Sequence, residues 1–293
     1  MKRLYACFAC IAVLWCSCTY KTAAPPQEDK RRCITVSIEP LRYLAEQIAG
    51  DEFRIVTFVP KGSSPETYEP SPEQLVNLSG SLVYFGIGDL GFERTWLDRL
   101  RQTATETEFI DVSHGIQRLQ GHEHGHGHGA AHRHTTDPHV WTSPANMKII
   151  AQNICDALCR ADTALAPTLR RNLCRTIGEI EAVDDSIRSM LGGVRQTTFL
   201  IYHPALTYFA RDYGLHQLAI EKDGKEPSPG HLAEIVGACL TQRVKVIFVQ
   251  QEFDRRNAEL IARETGTRME QINPLAYEWR EEMLNIARKL HEP

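Results

Sequence analysis

Three short segments each set one good metal ligand beside a proline: Pro65-Glu66, Pro138-His139 and His203-Pro204. Proline fixes φ and stiffens the loop that carries the ligand. A glutamate in a loop is usually only solvated, and a lone histidine is usually a satisfied structural group. The weight therefore rests on three such side chains in comparable settings. Two neutral imidazoles and one carboxylate, with an open or water-filled fourth position, suit tetrahedral Zn²⁺. The same set also resembles a catalytic zinc site or a two-His-one-carboxylate iron site, whereas an all-oxygen shell would have argued for Mn²⁺ or Mg²⁺. Zn²⁺ is the expected ion, with Mn²⁺ and Fe²⁺ behind it.

A second signal is the tract GHEHGHGHGAAHRH, Gly121 to His134, which carries His122, His124, His126, His128, His132 and His134. Glycines between the imidazoles leave the backbone free to let them converge, and such tracts take zinc, copper or nickel. A tract of this kind is a poor rigid cage and a reasonable low-affinity collector. The bland alternative is a solvated linker with incidental metal affinity.

The elements that must position these residues alternate. Apolar β-type runs at 33–38, 53–59, 82–86 and 108–112 are separated by helical stretches at 41–49, 73–78 and 92–101, a rhythm that predicts a mostly parallel sheet covered by helices. The rhythm stops at two consecutive long helices. The first covers 145–160. In the second, Leu169, Leu173, Ile177, Ile180, Val183, Ile187 and Leu191 recur at helical spacing up to Gly192-Gly193. It resumes with strands at 197–202, 217–220, 244–250 and 268–272 and helices near 205–212, 229–240, 255–265 and 278–290. The fold class is therefore α/β, with two lobes, each a mostly parallel sheet flanked by helices, joined by one long rigid helix. The division is an N-terminal lobe at 33–160 containing the His-rich loop 121–134, a linking helix at 161–193 and a C-terminal lobe at 194–293. Glu66 and His203 then follow strands, where open α/β sheets bind ligands. With Glu66 and His139 from the first lobe and His203 from the second, a metal lies in the cleft between them.

Met1-Lys2-Arg3, the apolar run from Leu4 to Trp15 and the polar stretch from Thr19 have the layout of a secretory signal. The run is shorter than the about 20 residues a spanning helix needs. Ser17-Cys18 resembles a bacterial lipobox, so residues 1–18 read as a lipoprotein signal peptide with Cys18 as the lipidated residue. Cys16, behind the bulky Trp15, is the weaker choice. Residues 19–32 read as a tether. The expected location is outside the cytoplasm, lipid-anchored to a bacterial membrane and facing the periplasm or the exterior. Of the nine cysteines, Cys33, Cys155, Cys159, Cys174 and Cys239 fall outside the signal, without CxxC spacing. No disulfide is expected, and Cys155 and Cys159 share a helix face. A net charge of -4 gives no basic field to favour nucleic acid.

Longer stretches carry a family resemblance: GSSPETYEPSPEQL, DPHVWTSP, YHPALTYFARDYGL, IEKDGKEPSPGHLAEIV and FVQQEFDRRNAELIARETG. In these the chain resembles the solute-binding lipoproteins of zinc and manganese ABC importers (cluster A-I, zinc type) over nearly all of residues 33–293. The resemblance implies two α/β lobes on a single rigid connecting helix, a His-rich loop between the first-lobe ligands, delivery of the captured ion to a membrane permease, a monomer and no catalysis. It also marks departures. Family members commonly carry His where this chain has Glu66, and an acidic fourth ligand where the nearest residue here is Asn273. Water, Asn273, Gln250 and Glu252 all stand as candidates for that fourth position. A metallohydrolase on the same shell lacks an HExxH motif and a credible base, and a Ser–His–Asp hydrolase lacks a GxSxG elbow. A metal-dependent adhesin remains compatible with the family resemblance.

Overall fold

The structure is a computed structural model that describes residues 31–120, 136–194, 198–221 and 226–292. Cys18 and the six histidines of the 121–134 tract lie outside the described residues. Strands β1 (Cys33–Val36), β2 (Arg54–Thr57), β3 (Ser81–Gly86) and β4 (Glu108–Asp111) form one sheet in the order β2-β1-β3-β4. Strands β5 (Thr198–Ile201), β6 (His216–Ala219), β7 (Val246–Gln250) and β8 (Arg268–Ile272) form a second in the order β6-β5-β7-β8. Every pairing is parallel. The two sheets thus repeat one topology. In each, the chain reverses direction across the sheet between the first and third strands, and a crevice opens at the carboxyl ends there.

Helices α1 (Glu39–Ala49), α2 (Pro72–Leu78), α3 (Gly91–Thr103) and α4 (Pro144–Ala161) accompany the first sheet. Helices α6 (Thr207–Tyr213), α7 (Pro229–Thr241), α8 (Arg256–Thr265) and α9 (Trp279–His291) accompany the second. Between them runs α5 (Ala166–Leu191), 26 residues long, packed along α1, α4 and α9. Its buried stripe is Leu169, Leu173, Thr176, Ile180, Val183, Ile187 and Leu191. Thr176 joins the stripe with its hydroxyl satisfied by the Asn172 carbonyl at 2.9 Å, and Ile177 packs half-buried against the same core. The linking helix is shorter than the expected 161–193. α4 runs through Ala161, and Asp162 then makes a turn in which its carboxylate accepts from Ala164 N at 3.0 Å. The tether also ends earlier than expected. Arg32 pairs with Asp162 at 2.6 Å and lies over the Phe53 ring, so the end of the polar stretch is part of the fold.

One apolar core runs from the first sheet through α5 to α9 and includes Phe199, Phe209 and Phe248 of the second lobe; a smaller cluster covers the second sheet's other face. Trp141 and Trp279, both 1% exposed, sit in the larger core. Cys155 is buried and Cys159 half-buried, with their Sγ atoms 3.9 Å apart on α4. Among the described residues no helix is long and apolar enough to cross a membrane.

The turn from β3 into α3 is held by a buried carboxylate. Glu93 accepts from Tyr84 Oη at 2.9 Å, Ile87 N at 3.2 Å and Gly88 N at 2.7 Å. A Cβ on Gly86 would lie 2.4 Å from Glu93 Oε1, so glycine is required where the carboxylate crosses the strand end. Burial pushes the Glu93 carboxyl from 4.5 to about 7, against the pull of those donors. Because the folded value is raised, this group's contribution is fully present below pH ~4.5 and is lost as pH rises through about 7. The loss is on the order of 3 kcal/mol. Glu93→Gln is expected to flatten that part of the stability–pH curve, measured as urea midpoints of the metal-free protein from pH 5 to 8. Parallel curves for the two proteins would refute the assignment.

Candidate metal centre

The loop bearing Glu66 is fixed at both ends. On its far side Ser71 and Gln74 form a capping box at the start of α2, with Pro72 in the first turn. Gln74 also donates to Phe58 O at 2.6 Å and accepts from Tyr68 Oη, tying the loop to the end of β2. Tyr68 stands edge-on to Phe58 and Phe92. On its near side the first turn of α3 grips the loop, with Phe92 N donating to Pro65 O at 2.9 Å. Contact is close enough that a Cβ on Gly91 would fall 2.1 Å from Glu66 O. A side chain at position 91 would therefore displace Glu66 itself. Arg94, on the same helix, approaches Glu66 Oε2 at 3.5 Å, while among the described residues the buried Glu66 Oε1 has no hydrogen-bond partner.

His139 stands just before the 3-10 turn Val140–Thr142 that leads into α4, and Ser143 caps α4 by accepting from Asn146 N. Its Nδ1 lies 2.9 Å from Asp137 Oδ1, which also accepts the His139 backbone N–H at 2.8 Å. His203 follows β5, and its Nδ1 lies 2.8 Å from Glu221 Oε2. An ionised carboxylate only accepts, so each Nδ1 carries the proton and each Nε2 presents a lone pair. The two Nε2 atoms face one another at 3.1 Å. Two lone pairs at that distance repel unless a proton or a cation lies between them. Two nitrogens on a tetrahedral zinc with bonds of about 2.05 Å would stand about 3.3 Å apart, so little movement separates this arrangement from a loaded one.

Glu66, His139 and His203 each offer one donor atom, and these atoms lie within 4.8 Å of one another. They line a cavity of about 30 Å³ together with Trp141, Gln250, Glu252, Phe253 and Pro274. The Phe253 ring stacks on His203, with centroids 5.2 Å apart and planes 12° apart, and Trp141 covers His139. The donor set, the room and the outer carboxylates suit a small divalent cation.

The candidates for a fourth ligand separate. Asn273 lines a neighbouring cavity with Glu39 and Lys61, and its Oδ1 accepts from Leu275 N at 3.1 Å. Gln250 spends both ends of its amide on His203, donating to His203 O at 2.6 Å and accepting from His203 N at 3.3 Å. Glu252 lines the cavity of the three donors. Sequence reasoning passed over Asp137 and Glu221. Asp137 was visible two residues before His139. Glu221 comes to His203 only because β6 pairs beside β5, continued by Glu221 N donating to Tyr202 O.

Two parallel-sheet lobes on a connecting helix, with a ligand cleft at the carboxyl ends of the strands, define a two-lobed solute-binding protein. The sequence profile of ZnuA, the periplasmic zinc-uptake complex component A, matches residues 34–287, and the chain belongs to that family. It is 27% identical over 278 residues to the high-affinity zinc uptake system protein ZnuA of Bacillus subtilis, covering 92% of this chain and 86% of that one. It is equally 27% identical over 278 residues to a putative metal-binding protein of Treponema pallidum, covering 91% and 87%. The zinc-binding lipoprotein AdcA of Streptococcus pneumoniae is 26% identical over 85% of this chain, which spans only 51% of AdcA. A crystal structure of ZnuA superposes with a TM-score of 0.83 at 33% identity, over 89% of this chain and 98% of that one. A zinc-bound deletion mutant of ZnuA gives 0.81 at 34%, over 89% and 97%.

Proposed function

We propose that this chain is the solute-binding component of an ABC importer, which captures Zn²⁺ between its lobes and passes it to a membrane permease. The observation that carries this reading is the meeting of Glu66, His139 and His203, with both imidazoles turned so that Nε2 faces a common centre. Membership of the zinc-uptake family and likeness to zinc-binding relatives support it. In this reading the first lobe supplies Glu66 and His139, the second supplies His203, and α5 joins the two. The protein works as a monomer, has no catalytic step, and is held outside the cytoplasm by a lipid on Cys18. The 122–134 histidines act as a low-affinity collector of ions.

The test is titration of the metal-stripped mature protein with Zn²⁺ against Mn²⁺ and Fe²⁺, with elemental analysis of the product. One tightly held zinc per chain, preferred over both competitors, is expected. Affinity should fall in acid, because imidazole binds metal only when neutral. For His139 burial pulls the pKa down, but the Asp137 charge and hydrogen bond outweigh it and hold the imidazolium above its ordinary 6.5. Proton competition therefore begins above that pH. Failure to retain stoichiometric zinc at neutral pH would overturn the reading.

A further inference from the structure

We propose that Glu252 supplies the fourth ligand to the captured ion, so that the loop after β7 closes the coordination shell. The inference rests on the zinc-capture reading. Glu66 and Glu252 are the two carboxylates among the described residues that line the cavity of the three donors. Both amide atoms of Gln250 are already engaged by the His203 backbone, and Asn273 lines a different cavity.

Glu252 is bracketed by two residues that already grip His203. Two positions before it, Gln250 clamps the His203 backbone; directly after it, Phe253 stacks on the His203 ring. The turn is closed by Phe253 N donating to Gln250 O at 3.3 Å. The half-buried Glu252 side chain accepts from its exposed neighbour, Gln251 Nε2, at 3.1 Å. The Glu252 carboxylate stands outside the set of donor atoms that already lie within 4.8 Å of one another, and its exposed contact is weak in water, so ligation calls for a change of its rotamer toward the cavity it lines. The chemistry also favours a second carboxylate. Arg94 leans on Glu66 Oε2 and draws part of its charge, so a divalent ion held by Glu66 and two neutral rings retains unbalanced positive charge that Glu252 offsets. A site that selects zinc in this way replaces the family's acidic position after β8 with one after β7.

The experiment uses the full mature chain with Co²⁺ as a spectroscopic probe and Zn²⁺ for affinity. Glu252→Gln is expected to weaken zinc in competition titration by at least the roughly 10–100-fold that loss of an orienting partner alone costs, and to change the visible Co²⁺ spectrum. A metal-bound water titrates near pH 7, a carboxylate ligand does not. The parent Co²⁺ spectrum should therefore be flat from about pH 7 to 9, and the Gln variant should gain a titrating band as water takes the vacated position. An unchanged affinity, or a parent spectrum that already titrates, would overturn the assignment and leave water as the fourth ligand. Parallel titration of His203→Ala separates the two readings: if that variant keeps tight stoichiometric zinc, the capture site itself is misplaced. Equal melting of the metal-free parent and Glu252→Gln proteins is expected; a folding defect in the variant would count against a ligand at this exposed turn.

Discussion

His203→Ala is expected to abolish tight zinc binding while leaving the protein folded. The imidazole is the second lobe's nitrogen donor, and its Nε2 sits 3.1 Å from that of His139. Truncation removes one of three converging donors and leaves Glu221 without the ring it orients. Loss of an orienting partner alone costs about 10–100-fold in metal affinity, so loss of the ligand should exceed that range. Half of the His203 anchoring is backbone, through Gln250, and survives the substitution. The metal-free melting temperature should therefore move little while competition titration finds no stoichiometric site. Glu221→Gln offers a graded companion, with the ring kept and its tautomer released, and should fall between the two. Unchanged affinity in His203→Ala would remove the second lobe from the site.

Trp141→Ala should give a large loss of stability, in addition to any effect on the site it lines. Its ring is 1% exposed and packs against His139, and its Nε1–H donates to Pro274 O at 2.9 Å. In return Trp279 Nε1–H donates to Trp141 O at 2.8 Å. The two indoles thus fasten the start of α4 to the loop after β8, lobe to lobe. Truncating a buried tryptophan costs about 3–5 kcal/mol, and the orphaned Pro274 carbonyl adds a penalty on the order of 1–3 kcal/mol. Trp141→Phe keeps most of the packing and should lose mainly the second term. Urea unfolding of the metal-free variants measures both. A loss under about 1 kcal/mol for the alanine variant would show that the interface does not depend on this ring.

The strand-and-helix rhythm was legible because each segment carries its own period: apolar runs for strands buried on both faces, a three-four spacing for α5. The ends were less legible. Thr176 is fully buried beside a half-buried Ile177, its hydroxyl satisfied by a backbone carbonyl, and Arg32 joined the fold through Asp162, 130 residues away. In the candidate site, the three proline-flanked donors could be picked out by residue type, and Asp137 lay within sight two residues before His139. Glu221 did not, since it reaches His203 through sheet pairing, and nothing in the sequence showed that Asn273 is diverted by a local turn onto Leu275 N. The short 3-10 turn Val140–Thr142, which aims His139, has no periodicity to announce it.

Tyr208 Oη accepts from Leu119 N at 3.1 Å and donates to Asp137 O at 2.9 Å, and so adds a third stitch beside the paired indoles. A joint sewn so close to the three donors has little play. Discrimination among ions then cannot come from how far two jaws swing shut; it has to be written into the preset spacing of the donors.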